Sequence, residues 1–293
     1  FLKNKKYKIK GFSFKSKKIE KVKILKDIKI YSSWKKLILD KKIDAVVVAT
    51  PPYLHKSIIQ FALKNNKHIF CEKPFTCSYK EAKFICNLIK RKKSLSHMVN
   101  YEFAEIDAFH FFRKKIINNT KINKIYLNWF IDINKRPNTN WKENHSKGGG
   151  IIFNYVCHAI YYLEFLFGKI ASIQTNVLLR KKSKIKTLVG IVFFDNGLSA
   201  QLSVKAGQIK KKFNPVHQLK ILCDKKNYIL KTNLNSLSDK FKLITSDKNS
   251  NKSEKILFKS EKNQNDFRIK PTFKNSKKFS TWIVKGKKQA PNF

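Results

Sequence analysis

The amino-acid sequence predicts an α/β chain, with a truncated parallel-sheet domain followed by an α+β domain whose open sheet is mostly antiparallel. Between Ile43 and Phe75, a β-branched run, a helical apolar repeat and a second apolar run follow one another, as in a βαβ unit. From about Thr120 onward, apolar and polar residues alternate, which is typical of strands that bury one face. We therefore predict two domains, at residues 1–103 and 104–293.

The βαβ unit begins with the run from Ile43 to Ala49, which is rich in valine and predicts a strand buried on both faces. Thr50-Pro51-Pro52 ends that strand, because proline cannot donate a hydrogen bond to a sheet. A helix is expected from Leu54 until Asn65-Asn66 ends it, and a second strand from His68 to Cys71.

Two polar groups follow these strands: Thr50-Pro51-Pro52 with His55, and Glu72-Lys73-Pro74. Ligands of open α/β sheets bind beyond the carboxyl ends of the strands. The sequence is therefore compatible with a binding site at this edge, although a solvated loop containing a common tripeptide would look the same.

The remaining elements of the first half are shorter. The predicted strands are Tyr7–Phe14, Asp27–Tyr31 and Leu95–Val99, and the predicted helices are Glu20–Lys26, Trp34–Leu39 after Ser33, and one from Ser78 to Arg91. The last strand ends in Asn100-Tyr101-Glu102, where Glu102 would contact a hydroxyl-rich substrate or form a salt bridge with a lysine.

The second half should begin with a helix from Ile106 to Ile117 and end with one from Thr272 to Val284. Alternation predicts a strand in which Ile125, Leu127, Trp129 and Ile131 face the core, and Asp195-Asn196-Gly197 is a hairpin turn signal. Residues 236–265 are expected to be an irregular excursion with marginal strands.

Between the helix and the later strands lies a glycine-led block, Gly148-Gly149-Gly150, followed by Asn154 and His158. Residues four apart share a helix face. A single histidine on a helix is often a core residue, so this block alone does not establish a site.

Three blocks together resemble the Gfo/Idh/MocA family, the relatives of glucose–fructose oxidoreductase and inositol dehydrogenase. They are A-T-P-P-x-x-H at 49–55, N-K-H-x-x-C-E-K-P at 66–74, and G-G-G-x-x-x-N-x-x-x-H at 148–158. The resemblance implies a Rossmann-like first domain, an NAD or NADP cofactor and a sugar-like substrate. It also implies homo-oligomers formed through the second domain's sheet.

By this resemblance, Lys73 and His158 are the catalytic residues and meet across a cleft. An imidazole with a pKa of about 6.5 can accept a proton near neutrality. The implied cofactor-binding residues are Ser13, Thr50, Pro51, Pro52, His55, Glu72, Lys73 and Asn100. The implied substrate-binding residues are Tyr101, Glu102, Asn154 and His158, and no metal site is expected.

The sequence departs from the family pattern in three places. It contains no G-x-G-x-x-G, so we expect the first βα unit to be missing, together with the family's C-terminal end. Asn154 stands where the family has aspartate, which removes a carboxylate. Ser13, followed by Lys15, Ser16 and Lys17, replaces the acidic residue of NAD enzymes and favours NADP.

The net charge of +45 is typical of proteins that bind nucleic acids or anionic membranes. The lysines are spread along the whole chain, however, and arginine, which base-reading proteins favour, is scarce. We therefore expect a compositional bias and no specific nucleic-acid partner.

No run of about 18 uncharged apolar residues is present, so no membrane insertion is expected. Five cysteines without C-x-x-C pairs fit a reduced, cytoplasmic setting.

The leading hypothesis is an NAD(P)-dependent dehydrogenase acting on a sugar-like or nucleotide-sugar substrate, in surface-glycan metabolism. The alternative is a degenerate or truncated family member with a non-catalytic binding role, which Asn154 and the missing glycine loop favour.

Overall fold

The computed structural model describes residues 6–14, 28–132, 141–179, 186–207, 216–233, 241–247, 254–259 and 266–291. The chain divides into two compact units. The first comprises Phe1–Tyr101, Asn140–Gly149 and Thr272–Phe293, and the second comprises Glu102–Thr139 and Gly150–Pro271. The segment at 140–149 and the end of the chain thus join the first unit, whereas the sequence analysis assigned both to the second domain.

The first unit contains two parallel sheets. Strands β1 (Gly11–Ser13) and β2 (Lys29–Tyr31) form one, and β3 (Ala45–Val48), β4 (His68–Cys71) and β5 (His97–Val99) form the other in that order. The helices between these strands are α1 (Trp34–Leu39), α2 (His55–Lys64) and α3 (Tyr79–Lys90). The predicted parallel, Rossmann-like architecture is confirmed.

Two of these helices have a serine as their N-cap residue, as predicted. The Ser33 hydroxyl accepts a hydrogen bond from the Lys36 amide, and the Ser78 hydroxyl accepts one from the Glu81 amide. The predicted helix at Glu20–Lys26 lies outside the described residues.

Burial in the three-stranded sheet differs from the prediction at β3. Val46 and Val48 are buried, but Val47 is 50% exposed, so the expectation of a strand buried on both faces was wrong. Phe70 of β4 and Met98 of β5 pack on Phe279 of the last helix, α6 (Ile269–Lys285). The central strand is therefore covered on both faces, while Val47, on the end strand of this sheet, is not.

The second unit is built on an eight-stranded sheet in the order β13-β12-β11-β10-β6-β9-β8-β7. Its strands are β6 (Ile122–Asp132), β7 (Ile170–Leu179), β8 (Lys186–Phe194), β9 (Ser199–Gly207), β10 (Val216–Cys223), β11 (Lys226–Thr232), β12 (Lys242–Asp247) and β13 (Lys255–Lys259). Among the described strands of this sheet, β6 and β9 alone pair in parallel, so the predicted mostly antiparallel sheet is confirmed.

One face of this sheet packs on α4 (Asp107–Lys115) and α5 (Cys157–Phe167). Ile125, Leu127, Trp129 and Ile131 of β6 are all buried, as the alternation predicted. At the predicted hairpin turn, Gly197 donates its amide hydrogen to the Phe194 carbonyl between β8 and β9.

Among the described residues, one helical stretch, His145–Phe167, is long and apolar enough to cross a membrane. Core helices of soluble proteins pass the same test. Here Tyr162 and Leu163 are fully buried in the second unit's core, and Gly148 and Gly150 have positive φ angles. We interpret the part of this stretch from Ile151 to Phe167 as belonging to that core.

Candidate active site

The carboxyl ends of β3, β4 and β5 lie at one edge of the first unit's parallel sheet. Val48, Cys71 and Val99 are in register across the three strands. Backbone hydrogen bonds continue this register, from the Glu72 amide to the Val48 carbonyl at 2.9 Å and from the Asn100 amide to the Cys71 carbonyl at 2.8 Å. The segments that follow the strands, beginning near Thr50, Glu72 and Asn100, therefore leave the sheet side by side.

A network of side-chain amides holds Glu72. The Asn100 amide nitrogen donates to Glu72 Oε1 at 2.9 Å and to the Thr272 hydroxyl at 3.2 Å. The Asn275 amide nitrogen donates to Asn100 Oδ1 at 3.1 Å, and both asparagines are buried. Sequence reasoning missed Thr272 and Asn275, because they lie more than 170 residues from Asn100 and no local pattern marks them.

His55 joins the segments that follow β3 and β4. Its Nε2 lies 2.8 Å from the Thr50 carbonyl, and its Nδ1 lies 3.0 Å from the Pro74 carbonyl and 3.1 Å from that of Phe75. Burial lowers the pKa of this fully buried ring, although the surrounding carbonyls and Glu72 favour the charged form. The structure thus shows His55 positioning two loops, and its direct contact with a cofactor stays a prediction.

The Thr50 hydroxyl is a buried polar group at the same edge of the sheet. Its Oγ1 is buried and has no hydrogen-bond partner among the described residues. A buried polar atom without a partner costs free energy, which a bound hydroxyl or amide would recover. Pro51 is partly exposed beside it, and Lys73 and Tyr101 are also partly exposed.

Gly148 packs closely against the same region. Its φ angle is +80°, and a Cβ atom added there would lie 2.5 Å from Cβ of the buried Pro52 and 3.1 Å from Cys77 Sγ. Only glycine avoids both the backbone penalty and this overlap. The glycine-led block thus supports the Thr50-Pro51-Pro52 loop within the first unit.

We expect Gly148→Ala to destabilise the chain by about 2–4 kcal/mol, with the left-handed backbone costing about 1–2 kcal/mol and the overlap the rest. Gly197→Ala is the matched control, since Gly197 has φ +83° and nothing within 4 Å of its Cβ position. Urea unfolding measures both variants. Equal losses in the two would contradict close packing at Pro52.

In the second unit, the glycine-led block continues into a π turn at Ile152–Val156 and then into α5. Asn154 lies in the π turn and His158 in the α-helix, so their spacing is not that of one continuous α-helix. π turns within helices recur at functional sites. Asn154 is partly exposed, and His158 is 3% exposed.

His158 lies beside Glu102 and Phe103. Its Nδ1 is 3.9 Å from Glu102 Oε2, and its ring centroid is 4.7 Å from that of Phe103. The sequence analysis left Glu102 with a substrate hydroxyl or a lysine as its partner. The structure adds His158 as a buried neighbour of the Glu102 carboxylate, a pairing that no local sequence pattern predicts.

Other predicted residues fall in less informative places. Ser13 is the last residue of β1 and pairs with Tyr31 of β2, but Lys15, Ser16 and Lys17 lie outside the described residues. Lys73 and His158 belong to different units, and their meeting around one substrate stays a prediction.

In the described part of the chain, no group of three His, Cys, Asp or Glu residues could hold a metal ion.

Two family models match the chain. An oxidoreductase family model with an NAD-binding Rossmann fold matches residues 3–101, and the GFO/IDH/MocA C-terminal domain matches residues 114–228. The chain belongs to the Gfo/Idh/MocA family of oxidoreductases. Both sequence-based expectations, the family and its two-part fold, are confirmed.

Curated relatives in this family match about half of the chain. An uncharacterized oxidoreductase of Schizosaccharomyces pombe is 30% identical over 147 residues, which are 48% of this chain and 38% of the relative. Levoglucosan dehydrogenase of Pseudarthrobacter phenanthrenivorans is 31% identical over 153 residues, 49% of this chain and 38% of the relative. The matched segments therefore span about two fifths of these relatives' lengths.

Solved structures match more of the chain at lower identity. Levoglucosan dehydrogenase in complex with NADH and levoglucosan has a TM-score of 0.72 at 19% identity, covering 90% of this chain and 76% of the other. Biliverdin reductase from Synechocystis, in complex with biliverdin and NADP+, has a TM-score of 0.70 at 19% identity, covering 90% and 78%. These structures confirm the Gfo/Idh/MocA fold.

Proposed function

We propose that the chain is an NAD(P)-dependent oxidoreductase that transfers a hydride between a nicotinamide and a carbinol or carbonyl carbon of a sugar-like or nucleotide-sugar substrate. The observation that supports this most is the common edge at which Thr50, Glu72-Lys73-Pro74 and Asn100 leave three parallel strands. Family membership supports the reaction class, and a relative named levoglucosan dehydrogenase supports a sugar-like substrate.

The residues at this edge fit the nicotinamide half of such a cofactor. The buried Thr50 Oγ1 can bond to a donor of the cofactor, and Glu72, held by Asn100, is an acceptor suited to ribose hydroxyls. Pro51 and Pro52 give this loop an apolar surface. The G-x-G-x-x-G turn that would bind the pyrophosphate does not occur in the 293 residues.

When bound, the nicotinamide would accept or supply the hydride. Oxidation of a carbinol also releases the hydroxyl proton, and His158 would take it as the general base. Lys73 would hold the substrate oxygen and stabilise the negative charge that develops on it. Tyr101 and Asn154 would orient substrate hydroxyls, Asn154 through an amide that cannot itself accept the proton.

Cofactor binding tests the proposal. We expect the purified chain to bind NADPH more tightly than NADH, because Ser13, at the end of β1, replaces the acidic residue that NAD enzymes place there and does not repel a 2′-phosphate. Ser13→Asp should weaken NADPH binding about tenfold or more, since a carboxylate repels that phosphate, whereas the uncharged Ser13→Asn should change it little. Fluorescence titration with each cofactor measures these affinities.

Failure to bind either cofactor would contradict the oxidoreductase proposal. It would favour the second candidate, a family member with a non-catalytic binding role, for which the amide at Asn154 is the supporting observation. Equal effects of Ser13→Asp and Ser13→Asn would contradict the NADP preference alone.

The open face of the second unit's sheet suits a further copy of the chain. On it, side chains of β6 to β9 line a depression of about 510 Å³, and Leu178 and Ile191 are each more than a third exposed. We propose that a homo-oligomer forms through this face. Light scattering tests the oligomeric state, and a monomer would contradict this proposal.

A cytoplasmic location, with no specific nucleic-acid partner and no membrane insertion, remains a proposal.

A further inference from the structure

Two glutamates of one short 3₁₀ segment, Glu102–Glu105, are buried, and the structure pairs each with a different histidine. Glu102 Oε2 lies 3.9 Å from His158 Nδ1, and Glu105 Oε2 lies 3.4 Å from His110 Nε2. The two carboxylates are 6% and 5% exposed. Buried carboxylates are rare in proteins unless a partner stabilises them.

The two pairs differ in their contact with solvent. The His158 side chain is 4% exposed, whereas that of His110 is 42% exposed. Water and salt screen the outer pair strongly and the inner pair little. The charge on Glu102 therefore acts on His158 with much less attenuation than the charge on Glu105 acts on His110.

We infer that Glu102 is the positioning residue of His158: its carboxylate orients the imidazole and stabilises positive charge on it. This inference deepens the proposed function and rests on it for the role of His158 as a base. The side chain at position 154, on the turn before His158, is an amide and carries no charge that could do the same.

The surroundings of His158 restrict how its ring can move. Phe103 follows Glu102 directly, and its ring lies against the imidazole at a centroid distance of 4.7 Å. Phe103 itself packs on Trp129 and Tyr162 of the core. Two adjacent residues therefore contact the imidazole of His158. Glu102 places its carboxylate near Nδ1, and Phe103 packs its ring against the imidazole.

Other acidic groups of the neighbouring elements face elsewhere. Glu105 lies beside His110 and, together with Glu164 of α5, raises the pKa of Tyr161, although burial is the larger cause. Glu164 is exposed to solvent. Asp107, the first residue of α4, forms a salt bridge with Lys270 at 2.6 Å. Among the described ion pairs of these elements, the one that reaches His158 is that of Glu102.

For the proposed reaction, this pairing matters at the proton-transfer step. In the proposed oxidation, the C–H bond of the substrate carbinol would give a hydride to a bound nicotinamide, and the O–H proton would pass to the imidazole of His158. His158 then carries a positive charge in a buried place, which would be costly without a nearby anion. An ionised Glu102 offsets that charge, so the base can accept the proton.

The test compares Glu102→Gln with Glu105→Gln, its matched control on the same segment, in the purified protein. Nuclear magnetic resonance of isotope-labelled histidine follows the titration of His158 independently of activity. We expect Glu102→Gln to move this titration to lower pH by about one unit or more, because an adjacent carboxylate favours the imidazolium. Glu105→Gln should leave the His158 titration in place.

The pH dependence of kcat/KM for carbinol oxidation is the second readout. In Glu102→Gln we expect its acidic limb to shift to lower pH in parallel with the His158 titration, while the plateau falls about tenfold or more. Glu102→Asp keeps the charge and should recover part of both. If Glu102→Gln only disturbed the local structure, the plateau of kcat/KM would fall and its acidic limb would stay at the same pH.

An unchanged His158 titration in both Glu102→Gln and Glu102→Asp would overturn the inference. If the titration shifts but the wild-type protein oxidises no carbinol with either nicotinamide cofactor, the pairing of Glu102 with His158 is supported and the proposed function is contradicted. The two proposals therefore fail in distinguishable ways.

Discussion

Lys73→Met is expected to lower kcat about 10²–10⁴-fold while KM changes little. In the proposed reaction, Lys73 stabilises charge that is present in the transition state and not in the bound substrate, so its loss affects turnover more than binding. Methionine keeps most of the length of the side chain and removes only the ammonium group. Steady-state kinetics with the preferred cofactor measure the effect.

Lys80→Met is the control for this variant. Lys80 is exposed on α3, and its replacement removes the same charge from a chain whose net charge is +45. We expect its kcat to stay within about twofold of wild type, because long-range effects of one surface charge are screened. A normal kcat in Lys73→Met would exclude Lys73 from the chemistry.

The second large effect is acid destabilisation through His217 of β10. This fully buried ring lies among Phe103, Phe109, Trp129 and Phe241, and its Nε2 lies 2.9 Å from the Tyr162 hydroxyl. Burial lowers its pKa to about 3. The unfolded chain, with a histidine pKa of about 6.5, therefore binds a proton that the folded state rejects.

Stability from this group is complete above about pH 6.5 and is lost as the pH falls towards 3. The loss amounts to about 2 kcal/mol at pH 5. Urea unfolding of the wild type at pH 7 and pH 5 measures it. In His217→Phe, which does not titrate, the difference between the two pH values should shrink by about that amount.

Tyr162→Phe serves as the control for His217. It removes the hydrogen bond to the ring, which costs stability at both pH values, but leaves the titrating group in place. Its stability should therefore still fall between pH 7 and pH 5. A pH dependence that is the same in His217→Phe as in the wild type would refute the assignment to His217.

Local patterns in the sequence predicted much of the fold. The alternation along β6, the caps at Ser33 and Ser78, and the turn before Gly197 depend on neighbours within a few residues, and all are present in the structure. The predicted burial of Val47 was wrong because an apolar run does not reveal whether its strand lies at the end of a sheet or in the middle.

The candidate site was predictable only in part. The edge that carries Thr50 and Glu72 follows from the rule for parallel strands, and family resemblance singled out Lys73 and His158. The pairing of Glu102 with His158 spans 56 positions of the chain and has no local signature. The same holds for Asn275, whose contact with Asn100 depends on how the chain returns at its end.

The return of α6 to the first unit has a consequence for biosynthesis. The sheet formed by β3, β4 and β5 depends on Phe279 to cover Phe70 and Met98, and on Asn275 to hold Asn100. These residues leave the ribosome only after the whole second unit has been made. The N-terminal unit therefore cannot reach its final packing first, as leading domains commonly do, and must remain incomplete through most of translation.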